Sequence, residues 1–179
     1  MTIDRRRLIA AASLMAMLGA ASAASAADEH LLNLDTQYGR TVIKLRPDLA
    51  PKHVAQIEAL AKRHFYDGVK FHRVIEGFMA QTGDPTGTGM GKSDLPNIPA
   101  EFSKERFGRG TLGMARGPDN NSANSQFFIC FAPARYLEEQ YTVFGEVVSG
   151  MEFIDKIRRG EPPKDPDKII KLRVAGDES

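Results

Sequence analysis

Reactive groups are scarce in this chain, and each shortage removes a class of function. One cysteine, Cys130, occurs in 179 residues, so no disulfide can form within the chain in any compartment. It sits in the apolar run Phe127-Phe128-Ile129-Cys130-Phe131, where a thiol reads as a buried structural group rather than a nucleophile. The four histidines, His30, His53, His64 and His72, never stand at zinc-like spacing with a carboxylate or thiolate nearby. No metal and no cofactor are therefore expected. Ser125 lacks the Gly-x-Ser-x-Gly elbow of a hydrolase. Thr86 to Ser93 ends in Gly91-Lys92-Ser93 as a phosphate loop does, but its first glycine is Gly87, where that pattern needs one at residue 86. Pro96 and Pro99 also forbid the helix that would hold a phosphate. The stretch reads as a mobile or binding loop. A formal net charge of only +1 leaves no basic stripe for nucleic acid.

The N-terminus is charged in a telling way. Arg5-Arg6-Arg7 precedes an uncharged Ala- and Leu-rich run from Leu8 to about Ala21, followed by small residues with an Ala24-Ser25-Ala26 cleavage pattern. This is the layout of an export signal, too short and too rich in alanine for a good membrane-spanning helix. The expected organisation is a cleaved signal over residues 1–26 and one domain over residues 27–179, exported to the periplasm by the general or the twin-arginine route. Cleavage removes Asp4 and the three arginines, so the mature chain is near neutral, at about −1. No long exposed apolar helix or strand is evident, and a monomer without membrane contact after cleavage is expected.

The mature chain reads as many strands and few helices. Leu31–Thr36 and Thr41–Leu45 alternate around a Tyr38-Gly39 turn. Val54, Ile57, Leu60 and Ala61 recur at helical spacing between Pro51 and Phe65. Further strands are expected at about 70–75, 78–82, 111–115, 126–131, 141–148 and 169–174, with a short helix over Met151–Arg159. Residues 83–110 form the longest loop region, and loops of that length in a small domain are usually functional. The pattern suggests a closed antiparallel barrel capped by two helices.

Three blocks concentrate the chemistry. Phe71-His72-Arg73-Val74-Ile75 and Gly77-Phe78-Met79-Ala80-Gln81, with Ser125-Gln126-Phe127-Phe128-Ile129-Cys130 downstream, offer one fixed cation, two amides and bulky apolar groups. Such a set suits gripping an uncharged peptide and reshaping it, more than cutting it. Arginine at 73, among Phe71, Val74 and Ile75, is expensive to bury unless it is paired or faces a groove. The plain alternative is an ion pair with an acid such as Glu76 or Glu101.

These blocks, together with Leu112-Gly113-Met114-Ala115, Val143-Phe144-Gly145 and Gly150-Met151, resemble the cyclophilins over the stretch from about Leu31 to Val174. The resemblance implies a mainly β fold, a closed eight-stranded antiparallel barrel with two capping helices. It also implies peptidyl-prolyl cis–trans isomerase activity without a cofactor, on proline-containing peptides and unfolded exported proteins. It makes Arg73 the catalytic residue and lines the proline pocket with Phe78, Met79, Phe128 and Leu137. Gln81 would orient Arg73 and bind substrate backbone, while Ala115, Arg116 and Gln126 would hold the residues before proline, with Gly87 nearby. Tyr136 stands where a tryptophan is usual, in a chain with no tryptophan at all, and Tyr141 stands where a histidine is usual. Neither supplies the key cation, so activity is expected to survive, but weak cyclosporin binding is expected because the missing indole donates to that ligand. The alternative from another class is a cyclophilin-like peptide-binding chaperone without important catalysis.

Overall fold

The computed structural model describes residues 30–177; the export signal expected over residues 1–26 lies outside the described residues. Eight strands occur, β1 (Leu31–Thr36), β2 (Gly39–Leu45), β3 (Arg73–Ile75), β4 (Met79–Thr82), β5 (Thr111–Met114), β6 (Phe127–Cys130), β7 (Val143–Ser149) and β8 (Lys171–Val174), with helices α1 (Pro51–Lys62) and α2 (Met151–Ile154). They form one antiparallel sheet in the order β3-β4-β6-β5-β7-β2-β1-β8.

This ladder does not close, which corrects the closed barrel expected above. β3 and β8 stand at its two ends. The strap between α2 and β8 forms no continuous ladder with the chain near β3 and pairs with it through the isolated bridges Val74–Gly160 and Lys70–Lys168. Pro162, Pro163 and Pro166 lie in that strap, and proline has no N–H with which to continue a ladder. The result is an open half-barrel.

Helix α1 forms where the spacing predicts, with Val54, Ile57, Leu60 and Ala61 buried and Pro51 in its first turn. Ala50 supplies no side-chain cap. Glu101, from the long loop, takes over. Its carboxylate accepts the N–H groups of Lys52 at 3.2 Å and His53 at 3.1 Å, and lies 2.6 Å from His53 Nδ1. A negative charge at that end is favoured by the helix dipole. Helix α2 is shorter than the expected Met151–Arg159. After Ile154 the chain tightens into i→i+3 turns, and Asp167 then captures the Arg158 N–H at 2.8 Å and draws the chain into the strap.

Strand alternation sorts the side chains into two apolar clusters. Val74, Ala80, Leu112, Met114, Phe127 and Ile129 join Leu34, Ile43 and Phe144 inside the half-barrel, beneath Ile57 and Leu60 of α1. Met79, Phe128 and Cys130 point the other way, into a second cluster with Phe107, Leu137 and Val143. β6 is therefore buried on both faces, which is why its sequence shows an unbroken apolar run instead of alternation.

One loop is built around a single carboxylate. Asp84 is fully buried, and its oxygens accept from the Thr86 N–H and hydroxyl, both at 2.7 Å, and from the Gly89 N–H at 2.6 Å. Gly91 packs so closely that a Cβ there would lie 2.1 Å from Asp84 Oδ1. Burial alone would raise the pKa of Asp84; the hydrogen bonds from Thr86, Gly91 and Gly89 outweigh it and hold the group at about 2. A carboxylate depressed in the folded state stabilises the fold above its unfolded pKa, and that contribution is lost as pH falls through the folded value. Between pH 4 and pH 2 the protein is expected to lose about 2 kcal/mol more stability than Asp84→Asn does. Urea melts across that range measure the difference, and parallel curves for the two proteins would show that Asp84 is not the anchor.

Candidate active site

The register of three strands assembles the site. Arg73 on β3 pairs with Gln81 on β4, Gln81 with Phe128 on β6, and Phe128 with Gly113 on β5. Residues opposite one another in a ladder share a face, so cation, amide and aromatic form one row. Gly113 leaves room in the row for a ring, since a Cβ there would lie 2.4 Å from Phe128 Cζ. The next row, Ile75–Met79–Cys130, packs alongside.

Above these rows opens a cavity of about 510 Å³, lined by Arg73, Phe78, Met79, Gln81, Ala115, Arg116, Phe128, Tyr136, Leu137 and Tyr141, with Gln140 at its edge. Phe128, Met79 and Leu137 form its buried apolar wall. Tyr136 is 67% exposed and lies 5.6 Å, ring to ring, from Phe78, making a lip rather than a floor. Phe128 is held between Phe107, stacked at 5.9 Å, and Tyr141, edge-on at 6.0 Å. The Arg116 guanidinium covers the Tyr141 ring at 4.7 Å and donates to the carbonyls of Gly117 and Gln140. Arg116 is thus a rigid wall.

A second groove of about 350 Å³ adjoins the first and shares Gln81, Ala115 and Arg116 with it. Gln126 lies between loop and sheet, its Nε2 donating to the carbonyls of Gly89 at 3.0 Å and Gly91 at 2.8 Å, while its Oε1 accepts from Gln81 Nε2 at 2.9 Å. The Ala115 N–H donates to the Gln126 backbone carbonyl at 3.0 Å. His72 is buried nearby, and burial lowers its pKa, so the ring is neutral at pH 7.

Three details differ from the expectations. Arg73 is paired, but with neither Glu76 nor Glu101: its Nε donates to Glu161 Oε2 at 2.8 Å. Glu76 instead holds Arg159, and Glu101 holds His53. Both partners of the Arg73 pair are substantially exposed, 42% and 52%, and such pairs are worth only ~0.2–1 kcal/mol, so the guanidinium stays at the cavity rather than being locked away from it. Gln81, expected to orient Arg73, donates its Nε2 to Gln126 Oε1 at 2.9 Å. Gly87 lines neither cavity; it packs beside Lys70, and Gly89 and Gly91 take the place along the groove. Residues missed in the sequence are Glu161, Gln140, and the loop pair Met90 and Lys92. Glu161 left no signal because it lies 88 positions from Arg73. Among the described residues no group of three or more His, Cys, Asp or Glu side chains could hold a metal ion.

Comparison with known proteins places this geometry. Residues 31–174 match the family model for cyclophilin type peptidyl-prolyl cis-trans isomerase/CLD. A probable peptidyl-prolyl cis-trans isomerase of Brucella suis is 50% identical, covering 99% of this chain and 99% of that protein. The peptidyl-prolyl cis-trans isomerase-like 1 of Aspergillus fumigatus is 41% identical, covering 80% of this chain and 96% of its own. Among solved structures, cyclophilin AquaCyp293 of Hirschia baltica superposes with a TM-score of 0.78 at 28% identity, covering 85% of this chain and 76% of that chain. A Cryptosporidium parvum cyclophilin type peptidyl-prolyl cis-trans isomerase, crystallised in the presence of the dipeptide Ala-Pro, gives 0.75 at 28% identity, covering 80% and 98% respectively.

Proposed function

This chain belongs to the cyclophilin-type peptidyl-prolyl cis-trans isomerases, and we propose that it turns X–Pro bonds with Arg73 as its catalytic residue. The observation that carries this reading is a permanently charged guanidinium at the mouth of an apolar slot walled by Phe78, Met79, Phe128 and Leu137. A pyrrolidine ring fits that wall. The shared groove beside Gln81, Ala115, Arg116 and Gln126 receives the residues before proline, and Gly89 and Gly91, not Gly87, flank them.

The energetics ask for little more. Resonance gives the peptide bond a barrier of ~18–20 kcal/mol, and uncatalysed exchange at proline takes ~10–100 s. A turnover of ~10–1000 per second therefore needs a gain of ~10²–10⁵, on the order of 3–7 kcal/mol. No covalent intermediate is required. As the amide twists, its nitrogen becomes pyramidal and gains a lone pair able to accept a hydrogen bond. A guanidinium donor meets that nitrogen, or the carbonyl oxygen, with a charge-assisted bond of ~1.5–3 kcal/mol that is stronger in the twisted state than in the planar one. The apolar wall grips the ring and excludes water, which strengthens the cation's field.

The cellular role follows from the N-terminal pattern. An Arg-rich start, a short apolar run and an Ala-x-Ala site support export to the periplasm, where a monomeric isomerase assists folding of exported proteins. Tyr136 in place of tryptophan supports weak cyclosporin binding, since a phenol on an exposed lip does not present the indole N–H.

Three outcomes are expected. In a protease-coupled assay on an Ala-Pro-Phe peptide, Arg73→Ala lowers kcat/KM by about 10- to 100-fold and Arg73→Lys by nearly as much, because lysine keeps the charge and loses the fork. Wild type and Arg73→Ala at the same rate would remove Arg73 from the mechanism. Inhibition titrations should show cyclosporin binding tightened by about tenfold or more in Tyr136→Trp, a hydrogen-bond's worth of affinity; an unchanged inhibition constant contradicts the role given to that position. N-terminal sequencing of protein recovered from the periplasm should begin close to Ala27, and an intact Met1 in a cytoplasmic fraction would end the export reading.

A further inference from the structure

The Pro-rich strap that interrupts the barrel also delivers an acid to Arg73. Gly160 is tied to β3 by a reciprocal backbone pair, Val74 N–H to Gly160 O and Gly160 N–H to Val74 O, both 2.8 Å. One residue earlier, Arg159 is clamped, with Nε on Glu76 Oε2 at 2.7 Å, Nη1 on the Asp155 carbonyl at 2.8 Å and its guanidinium 4.2 Å over the Phe131 ring. On the other side the strap folds back tightly, so that a Cβ on Gly160 would lie 2.5 Å from Pro163 Cα. Glu161 directly follows these two anchored residues, and its side chain ends 2.8 Å from Arg73 Nε.

Arginine has five N–H donors in a planar fork. Occupying Nε sets the plane of the fork and leaves the four N–H donors of Nη1 and Nη2 for other partners. Building on the reading of Arg73 as the catalytic residue, we infer that Glu161 is a positioning residue that orients the Arg73 guanidinium at the slot, the task expected of Gln81. It touches no substrate. It acts by reducing the freedom the fork must surrender when the bond twists. The carboxylate also offsets part of the arginine's charge, so the useful property is an acceptor in the right place rather than a negative charge, and a glutamine amide oxygen serves as well.

Steady-state isomerase kinetics on Glu161→Ala, Glu161→Gln, Arg73→Ala and the Glu161→Ala/Arg73→Ala double variant test this. Glu161→Ala is expected to lower kcat by about three- to fivefold, the scale of an exposed charge-assisted contact, with KM unchanged. Glu161→Gln should recover to within about twofold of wild type, because the acceptor remains. The double variant should be no slower than Arg73→Ala alone. Wild-type kcat in Glu161→Ala, equal losses in the Ala and Gln variants, or the same further loss in the Arg73→Ala background would each overturn the inference. If Arg73→Ala itself keeps the wild-type rate, the catalytic reading falls and this inference with it; if Arg73→Ala is slow while Glu161→Ala is not, only the inference falls.

Discussion

The pairing of β4 with β6, Gln81 opposite Phe128 and Met79 opposite Cys130, is the constraint on which the site rests. Side chains alternate across a strand, so a slip of one residue would exchange its two faces. Gln81 and Met79 would then turn into the half-barrel, while Ala80 and Thr82 would face the slot. Both clusters would fail together: the interior would gain an amide with no partner, and the slot would lose its wall. The apolar interior thus enforces the register of the outer surface, and catalysis takes its geometry from the core.

That arrangement explains the division between rigid and adjustable parts. Phe128, Met79 and Leu137 are buried and packed, and Arg116 is fixed against Tyr141 by a ring contact and two carbonyls. The loop from Asp84 to Gly91 is shaped from within by a buried carboxylate and tied to the sheet through Gln126. Arg73 differs from all of these. It meets the cavity through an exposed contact with Glu161, which engages Nε and leaves the outer nitrogens of the fork for the amide. The strap supplies the contact because its prolines keep it from becoming a ninth strand.

Much of this was legible in the residues. Alternation in Leu31–Thr36 and helical spacing from Val54 to Ala61 report local structure directly, and the structure places both elements there. The apolar run at Phe127–Cys130 suggested a strand without saying which residues face where, because both of its faces are buried. The wall residues around Phe128 were nameable only through resemblance to cyclophilins. What could not be read were contacts between distant segments. Glu161 reaches Arg73 across 88 positions and Gln81 reaches Gln126 across 45, and no local pattern encodes either. The closed barrel failed for a related reason: the prolines of residues 162–166 were visible, but their place beside β3 was not. Helix α2 ends earlier than its spacing suggests because the chain tightens into i→i+3 turns after Ile154, and the Arg158 N–H then donates to the distant Asp167.

The decisive measurement is a crystal structure of the protein with an Ala-Pro peptide bound. The pyrrolidine ring is expected against Phe78, Met79, Phe128 and Leu137, with an Arg73 Nη nitrogen about 3 Å from the amide that precedes it, a normal hydrogen-bond length. A proline seated elsewhere, or a ring in this slot with the guanidinium turned away from its amide, would contradict this arrangement.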